Sequence, residues 1–253
     1  MSNNKHNYEQ IVTEALNEPG KLNSCYSNFW RYSMGNQWLA MMQLAQPEPI
    51  NTYKGWQGLG RQVKKGEKAI ALLMPVTSKD KETGEVNGMF FISRNNWFGL
   101  SQTDGEVFVA ETVPGFDLER ALAALNITQE AFKSVDGNCQ GYAKTSQQVI
   151  AVSPLAVNPI KTTLHEIAHC LLHADQDLMN DADTLAKDVK EVEAELTAYI
   201  VSSVLGRTEG LQFSRGYIQA WMKDVDAEKV RYGKVFGAVD KILKAGREQV
   251  EAC

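Results

Sequence analysis

His165-Glu166-Ile167-Ala168-His169, preceded by Lys161-Thr162-Thr163-Leu164 and followed by Cys170-Leu171-Leu172-His173, is the stretch on which the reading of this chain turns. Four residues apart on a helix, two imidazoles share a face and can point at one ion. Glu166, one step round, then stands beside the water such a centre activates and can serve as general base. Three of the four histidines lie within these nine residues. The fourth, His6, sits in a polar terminus and reads as incidental.

Two histidines need a third protein ligand and an open position to make a catalytic metal site. The best supplier is Glu191-Val192-Glu193-Ala194-Glu195. Glu191 and Glu195 share one helical face, whereas Glu193 points elsewhere. Carboxylates at that spacing are more often a solvated face. Here the apolar run of Leu196, Ala198, Tyr199, Ile200 and Val201 follows, and a carboxylate at the start of a buried stripe needs a partner. One of the pair would ligate and the other would hydrogen-bond a ligand imidazole and fix its tautomer. Glu191 is placed first as ligand, an order that spacing alone leaves open. His173 extends the series, but a histidine one turn further on is more often a capping or packing residue.

The bulk numbers frame these motifs. A chain of 253 residues suits one large domain or two small ones. No apolar run is long enough to span a bilayer, and the opening Met1–His6 lacks the apolar core of a signal peptide. Cys25, Cys139, Cys170 and Cys253 are scattered without a CxxC pair, which favours a reducing cytoplasm over a disulfide framework. Net charge is -5, against wholesale nucleic-acid binding, yet its distribution is uneven: residues 1–110 carry 11 Lys/Arg against 10 Asp/Glu, and residues 111–253 carry 15 against 21. Between residues 50 and 70, Lys54, Arg61, Lys64, Lys65 and Lys68 face a single acid, Glu67. Such a local basic stretch can bind phosphate on an otherwise acidic molecule.

Periodicity predicts helices over 7–17, 35–45 and 53–59, then strands over 69–76, 89–93 and 97–100, with Pro75 ending the first or placing it at an edge. Lys81-Glu82-Thr83-Gly84 reads as the hairpin turn. Thr112-Val113-Pro114-Gly115 marks the domain boundary, giving domains of 1–113 and 114–253. Beyond it the pattern predicts a helix over 117–125, a hairpin from 141–144 and 148–152, the HExxH helix over 157–173, an Asp- and Asn-rich loop over 175–184, and helices at 185–205, 214–224 and 227–245. The fold class is therefore α+β: an αβ first domain with a small antiparallel sheet, and a mainly helical second domain with a short β-hairpin.

Longer stretches carry a family resemblance. Tyr32–Gln37 (YSMGNQ) and Trp56–Lys68 (WQGLGRQVKKGEK) resemble the N-terminal single-stranded-DNA-binding domain of ArdC-type antirestriction proteins. Thr163–His169, Glu191–Tyr199 and Ser214–Trp221 resemble their zincin-like metallopeptidase domain, of the gluzincin kind. The resemblance covers most of the chain and is strongest to members encoded on plasmids and other mobile elements. The short extreme N-terminus and the segment between Gly99 and Pro114 depart from it. It implies a factor that protects incoming DNA from restriction.

Single-stranded nucleic acid is held by cations along a phosphate track and by aromatics on which bases stack. Composition alone would make Trp38 and Trp56 core residues and the lysines a solvated surface. The resemblance reverses that preference, so Lys54, Arg61, Lys64, Lys65 and Lys68 are expected on phosphate, and Tyr53 and Trp56 in stacking. The expected function is a cytoplasmic protein, not tied to a membrane, that binds single-stranded DNA and cleaves an unknown protein or peptide with Zn2+, Mn2+ being the alternative ion. His165, His169, Glu191 and Glu195 build the metal site and Glu166 is the catalytic base. The resemblance places Tyr217 on a helix after the site, which makes it a candidate oxyanion donor, although a core tyrosine is the more ordinary explanation. Two rival readings are a DNA-coating protein with a structural or inactive metal site and a regulatory metalloprotease that cleaves a repressor.

Overall fold

The computed structural model describes residues 12–13, 16–18, 20–80, 83–134, 136–174, 185–224 and 229–248. Most of the helix expected over 7–17 and all of the 175–184 loop lie outside them, as do His6, Lys81, Glu82 and Cys253. The described chain forms two compact units, one of Ser24–Val113 and one joining the described residues up to Asn23 with those from Pro114 onward. The division at Val113/Pro114 coincides with the Pro-Gly punctuation. The residues before Ser24, which the sequence assigns to the first domain, group with the second: Val12, Leu16 and Leu22 are buried beside Leu196, Tyr199, Ile200 and Phe236.

Helix α1 (Lys21–Phe29) is absent from the sequence expectation, because Pro19-Gly20 reads only as a stop. Gly20 takes the left-handed conformation, φ 95°, and a new helix starts straight after it. Its buried residues, Leu22, Cys25, Tyr26 and Phe29, recur at helical spacing.

The Ser24–Val113 unit continues with α2 (Met34–Gln43), β1 (Ile50–Thr52), α3 (Tyr53–Gly58), β2 (Arg61–Val63), β3 (Ile70–Lys79), β4 (Val86–Gly99) and β5 (Thr103–Gly105). One antiparallel sheet has the order β1-β4-β3, and β2 pairs with β5 in a second. Cys25, Phe29, Ala40, Ile50, Ile70, Leu72 and Trp97 form the core beneath them. The strands expected at 89–93 and 97–100 are one continuous β4, in which Arg94 and Asn95 pair with Leu72 and Ala71 and a register shift at Ile70/Ala71 passes over Asn96.

Pro75 does not end β3; it lies on the sheet edge, where a missing N–H breaks no ladder bond. The same edge is covered nearer the core by amide side chains of α2. Gln43 bonds both the N–H and the C=O of Ala71, and Asn36 does the same for Leu73, at 2.8–2.9 Å. Exposed edge groups of that kind otherwise invite pairing with another chain. Past Leu73 the hairpin stands out as an arm.

The second unit comprises α4 (Leu118–Ala124), β6 (Thr128–Gln129), β7 (Gly141–Lys144), β8 (Val149–Val152), α5 (Pro159–Leu172), α6 (Lys187–Val204), α7 (Leu211–Asp224) and α8 (Tyr232–Gly246). The β7–β8 hairpin gains a third strand, β6, parallel to β8, so the order is β6-β8-β7. Two residues are too short to signal a strand by periodicity. α5 and α6 pack against each other, with Ala168, Leu172, Ala194 and Ala238 of α8 at their junction. The protein is thus α+β. Among the described residues no helix is long and apolar enough to cross a membrane, and Cys25, Cys139 and Cys170 are free thiols.

Candidate metal centre

α5 begins at a well-made cap. The Asn158 side chain accepts from the Lys161 N–H at 3.0 Å, and Pro159 takes the first turn, where its missing N–H costs nothing. The helix then turns His165 and His169 to one face, towards α6. α6 is buried almost all round from Val192 onward, so a carboxylate on it needs a partner.

His165 Nε2 and His169 Nε2 stand 3.1 Å apart, with Glu191 Oε2 at 3.5 Å from the first and 3.7 Å from the second. These three side chains form a cluster able to hold a metal ion. Two donors each ~2.1 Å from one ion are ~3.4 Å apart at a tetrahedral angle and ~3.0 Å at a right angle. The observed separations fit a shared divalent cation and span both geometries. The donor set, two imidazoles and a carboxylate, suits zinc and manganese alike.

Glu195 lies behind the ligands. Its Oε2 is 3.1 Å from His165 Nδ1 and its Oε1 is 2.6 Å from Lys161 Nζ. An ionised carboxylate can only accept, so His165 Nδ1 carries a proton, and Nε2 is the nitrogen left to bind a metal. Glu195 therefore orients a ligand, and Glu191 is the carboxylate that reaches the cluster.

The electrostatics follow. Burial works against a charged His165, but Glu191, Glu195 and Glu166 outweigh it and hold its pKa up at about 9. The His165 imidazole and then that of His169 draw Glu191 well below the ordinary carboxylate range. Glu195 is pushed up by burial but brought down to about 2 by His165 and Lys161. Glu166 moves the other way, raised by burial with His165 and His169 only partly compensating. It lies against β7: a Cβ at Gly141 would sit 2.8 Å from Glu166 Oε1, so only glycine leaves room for this carboxylate.

A second polar cluster is invisible to spacing. Glu193 does point away from Glu191 and Glu195, and it is fully buried. Its oxygens accept from His173 Nε2 at 3.0 Å and from Arg231 through the backbone N–H at 2.8 Å, Nε at 3.0 Å and NH2 at 2.8 Å. Arg231 also reaches the Leu172 carbonyl at the end of α5, 3.3 Å away. His173 in turn places Nδ1 3.0 Å from His169 Nδ1. Burial lowers the His173 pKa, with Glu193 partly opposing, and Glu193 is brought down to about 2 because His173 and Arg231 overcome its burial.

Tyr217 is not a core tyrosine. It is 43% exposed on α7, and its phenol is raised first by burial and then by the charges of Glu191, Glu195 and Asp188.

In the first unit the expected DNA contacts separate. Lys54, Lys64, Lys65 and Lys68 are exposed, as is Tyr53. Trp56 corrects the sequence expectation: it is 1% exposed and its indole N–H donates to the Phe98 carbonyl at 2.8 Å, so it serves the core. Arg61 is committed too, donating to Thr103 Oγ1 and the Thr103 carbonyl at 2.9 Å and to the Glu106 carbonyl, which clamps β2 to β5. Lys64 donates to the Ser101 carbonyl at 2.9 Å and pairs with Asp104 at 3.6 Å. The arm adds aromatics that the sequence does not single out, Phe90 and Phe91, 50% and 60% exposed on opposite faces of β4. Their adjacency within an apolar run gives them the look of core.

Residues 8–106 match a family model described as the N-terminal domain of anti-restriction factor ArdC. Two solved structures resemble nearly the whole chain, both of the antirestriction ArdC protein from plasmid R388. The metal-free form matches with a TM-score of 0.53 and the Mn(II)-bound form with 0.56, each at 19% identity over 95% of this chain and 95% of that one. At that identity the likeness establishes a common fold. No curated protein matches the chain by sequence.

Proposed function

Taking the chain as a member of the ArdC-type family, we propose that it is an antirestriction factor of a mobile element, with a DNA-binding first domain (1–113) and a metallopeptidase second domain (114–253). The observation that carries the enzymatic half is the convergence of His165, His169 and Glu191 within 3.7 Å, with Glu195 ordering His165 and Glu166 beside them. Zinc or manganese held there supplies Lewis acidity, polarising a carbonyl and acidifying a water.

The remaining work belongs to the protein's own groups. Glu166, with its pKa raised by burial, takes a proton at its carboxylate and returns it to the leaving amine. Gly141 keeps that carboxylate unobstructed. Tyr217, exposed and close enough to feel Glu191 and Glu195, supplies a phenolic donor for the carbonyl oxygen. In the first domain Lys54, Lys64, Lys65 and Lys68 follow the phosphates of single-stranded DNA, while Tyr53 and the arm's Phe90 and Phe91 stack on bases.

Glu166→Gln tests the peptidase reading. It should retain metal and DNA while cleavage of a fluorogenic peptide library is abolished. Protection of incoming DNA that survives this change would show that the metal site is structural. Replacing Lys65 and Lys68 with Ala should weaken oligonucleotide binding and lower the salt slope by about one for each phosphate no longer neutralised; an unchanged slope would place DNA elsewhere.

A further inference from the structure

We propose that His173, Glu193 and Arg231 form a positioning relay that fixes the tautomer and ring orientation of His169, so that its Nε2 lone pair faces the metal. The relay rests on the metal-centre reading above and deepens it. Its charged end sets the order of protons. Arg231 grips both Glu193 oxygens and also donates its backbone N–H to one of them. Glu193 so held is an acceptor only, and His173 Nε2, 3.0 Å from it, must carry a proton.

A neutral imidazole has one N–H, so His173 Nδ1 is a lone pair. His169 Nδ1, 3.0 Å away, must then be the donor. That leaves His169 Nε2 unprotonated and aimed at His165 Nε2 and Glu191 Oε2. His165 is held by a shorter route, its Nδ1 fixed by Glu195 and Lys161, so that loss of the Nε2 proton to an incoming metal leaves it in the same state. Each ligand imidazole is thus backed by a carboxylate that is itself paired with a cation, directly for His165 and across one intervening ring for His169. Partners of this type set ring orientation and raise ligand basicity.

Two substitutions separate positioning from simple packing. His173→Phe keeps a ring of similar size and removes both nitrogens. His173→Gln keeps one acceptor and one donor on a flexible stem, able to receive from His169 and give to Glu193. Titration of Mn(II) and Zn(II) into each purified full-length protein should show His173→Phe binding 10- to 100-fold more weakly. His173→Gln should recover most of that affinity at similar thermal stability.

Long-range 1H–15N spectra of the unsubstituted protein read the tautomers directly, with or without metal, and should place the His169 proton on Nδ1 and the His173 proton on Nε2. Metal affinity unchanged in His173→Phe, or a His169 proton on Nε2, would overturn the relay. Should the unsubstituted protein bind neither ion, the metal reading fails by itself, and the spectra still decide the hydrogen-bond order.

Discussion

Glu193→Gln is the sharpest test of how the second unit is held together. The substitution keeps the shape of a fully buried side chain and removes its charge. It takes from Arg231 the carboxylate that it grips and turns an acceptor towards which three Arg231 N–H groups and one imidazole N–H point into a group that is half donor. The depression of Glu193 from an ordinary 4.5 to about 2 corresponds to about 3 kcal/mol of folding stability at ~1.4 kcal/mol per pH unit. That agrees with the ~3–5 kcal/mol typical of breaking a buried ion pair.

Because the folded pKa is depressed, this stability is complete above 4.5 and disappears as pH falls through the window down to about 2. The difference between wild type and variant should therefore be about 3 kcal/mol at pH 7 and clearly smaller at pH 3.5. Denaturant unfolding with EDTA present, so that metal linkage does not contribute, measures both values. A difference under ~1 kcal/mol at pH 7, or one of equal size at the two pH values, would refute the account.

Elsewhere in the molecule, Gly141→Ala places a methyl 2.8 Å from Glu166 Oε1 and from Thr162 Cγ2 and 3.0 Å from the Ala151 carbonyl; it should cost ~1–3 kcal/mol and abolish peptide cleavage while leaving metal affinity near wild type by titration. Since Glu191, Glu195 and Glu166 hold the His165 pKa up at about 9, metal must displace a proton from this ring, so affinity should rise about tenfold per pH unit below that value and flatten above it. Calorimetry in buffers of different ionisation enthalpy should register about one proton released, and a flat profile from pH 6 to 8 would exclude the competition. Arg61→Ala should lower the melting temperature of the first unit without changing the salt slope of DNA binding, because its guanidinium is spent on Thr103 and Glu106. Changing Phe90 and Phe91 together to Ser should cost ~1–3 kcal/mol of oligonucleotide affinity per base unstacked with only a small fall in stability, since each ring is at least half exposed.

What is legible in the sequence is whatever a single helix or hairpin encodes. His165, Glu166 and His169 share an element whose period sets their geometry, and the α5 cap at Asn158-Pro159 shows locally. Glu191 and Glu195 stand out because they lie one turn apart on α6, and their division of labour follows from which one reaches the cluster. The linkage of His173 to Glu193 escapes notice for the converse reason: Arg231, which holds Glu193, sits 38 residues beyond it, at the start of another helix. Trp56 misleads because an aromatic among lysines has the composition of a stacking surface, while its burial depends on β4, 42 residues later. Pro75 hides the length of the arm for a related reason, since an edge strand tolerates what a central one does not, and the polar Arg94-Asn95-Asn96 stretch reads as a break in β4.

The three carboxylates of Glu191-Val192-Glu193-Ala194-Glu195 illustrate how one helix can serve opposite demands. Residues two apart lie on opposing sides of a helix, so Glu191 and Glu195 face α5 from the front while Glu193 closes it from behind through His173. Each has a different cationic partner: the imidazoles for Glu191, Lys161 for Glu195, Arg231 for Glu193. Were Glu195 and Glu193 both turned to the front, three negative charges would compete for one ion, and neither imidazole would have an acceptor to fix its proton. Dividing them lets one carboxylate bind, and the other two, neutralised in advance, hold the imidazoles still. The fold thus meets the cost of burying charge with ion pairs made on folding, and leaves Glu191 as the acid whose partner can be exchanged for metal.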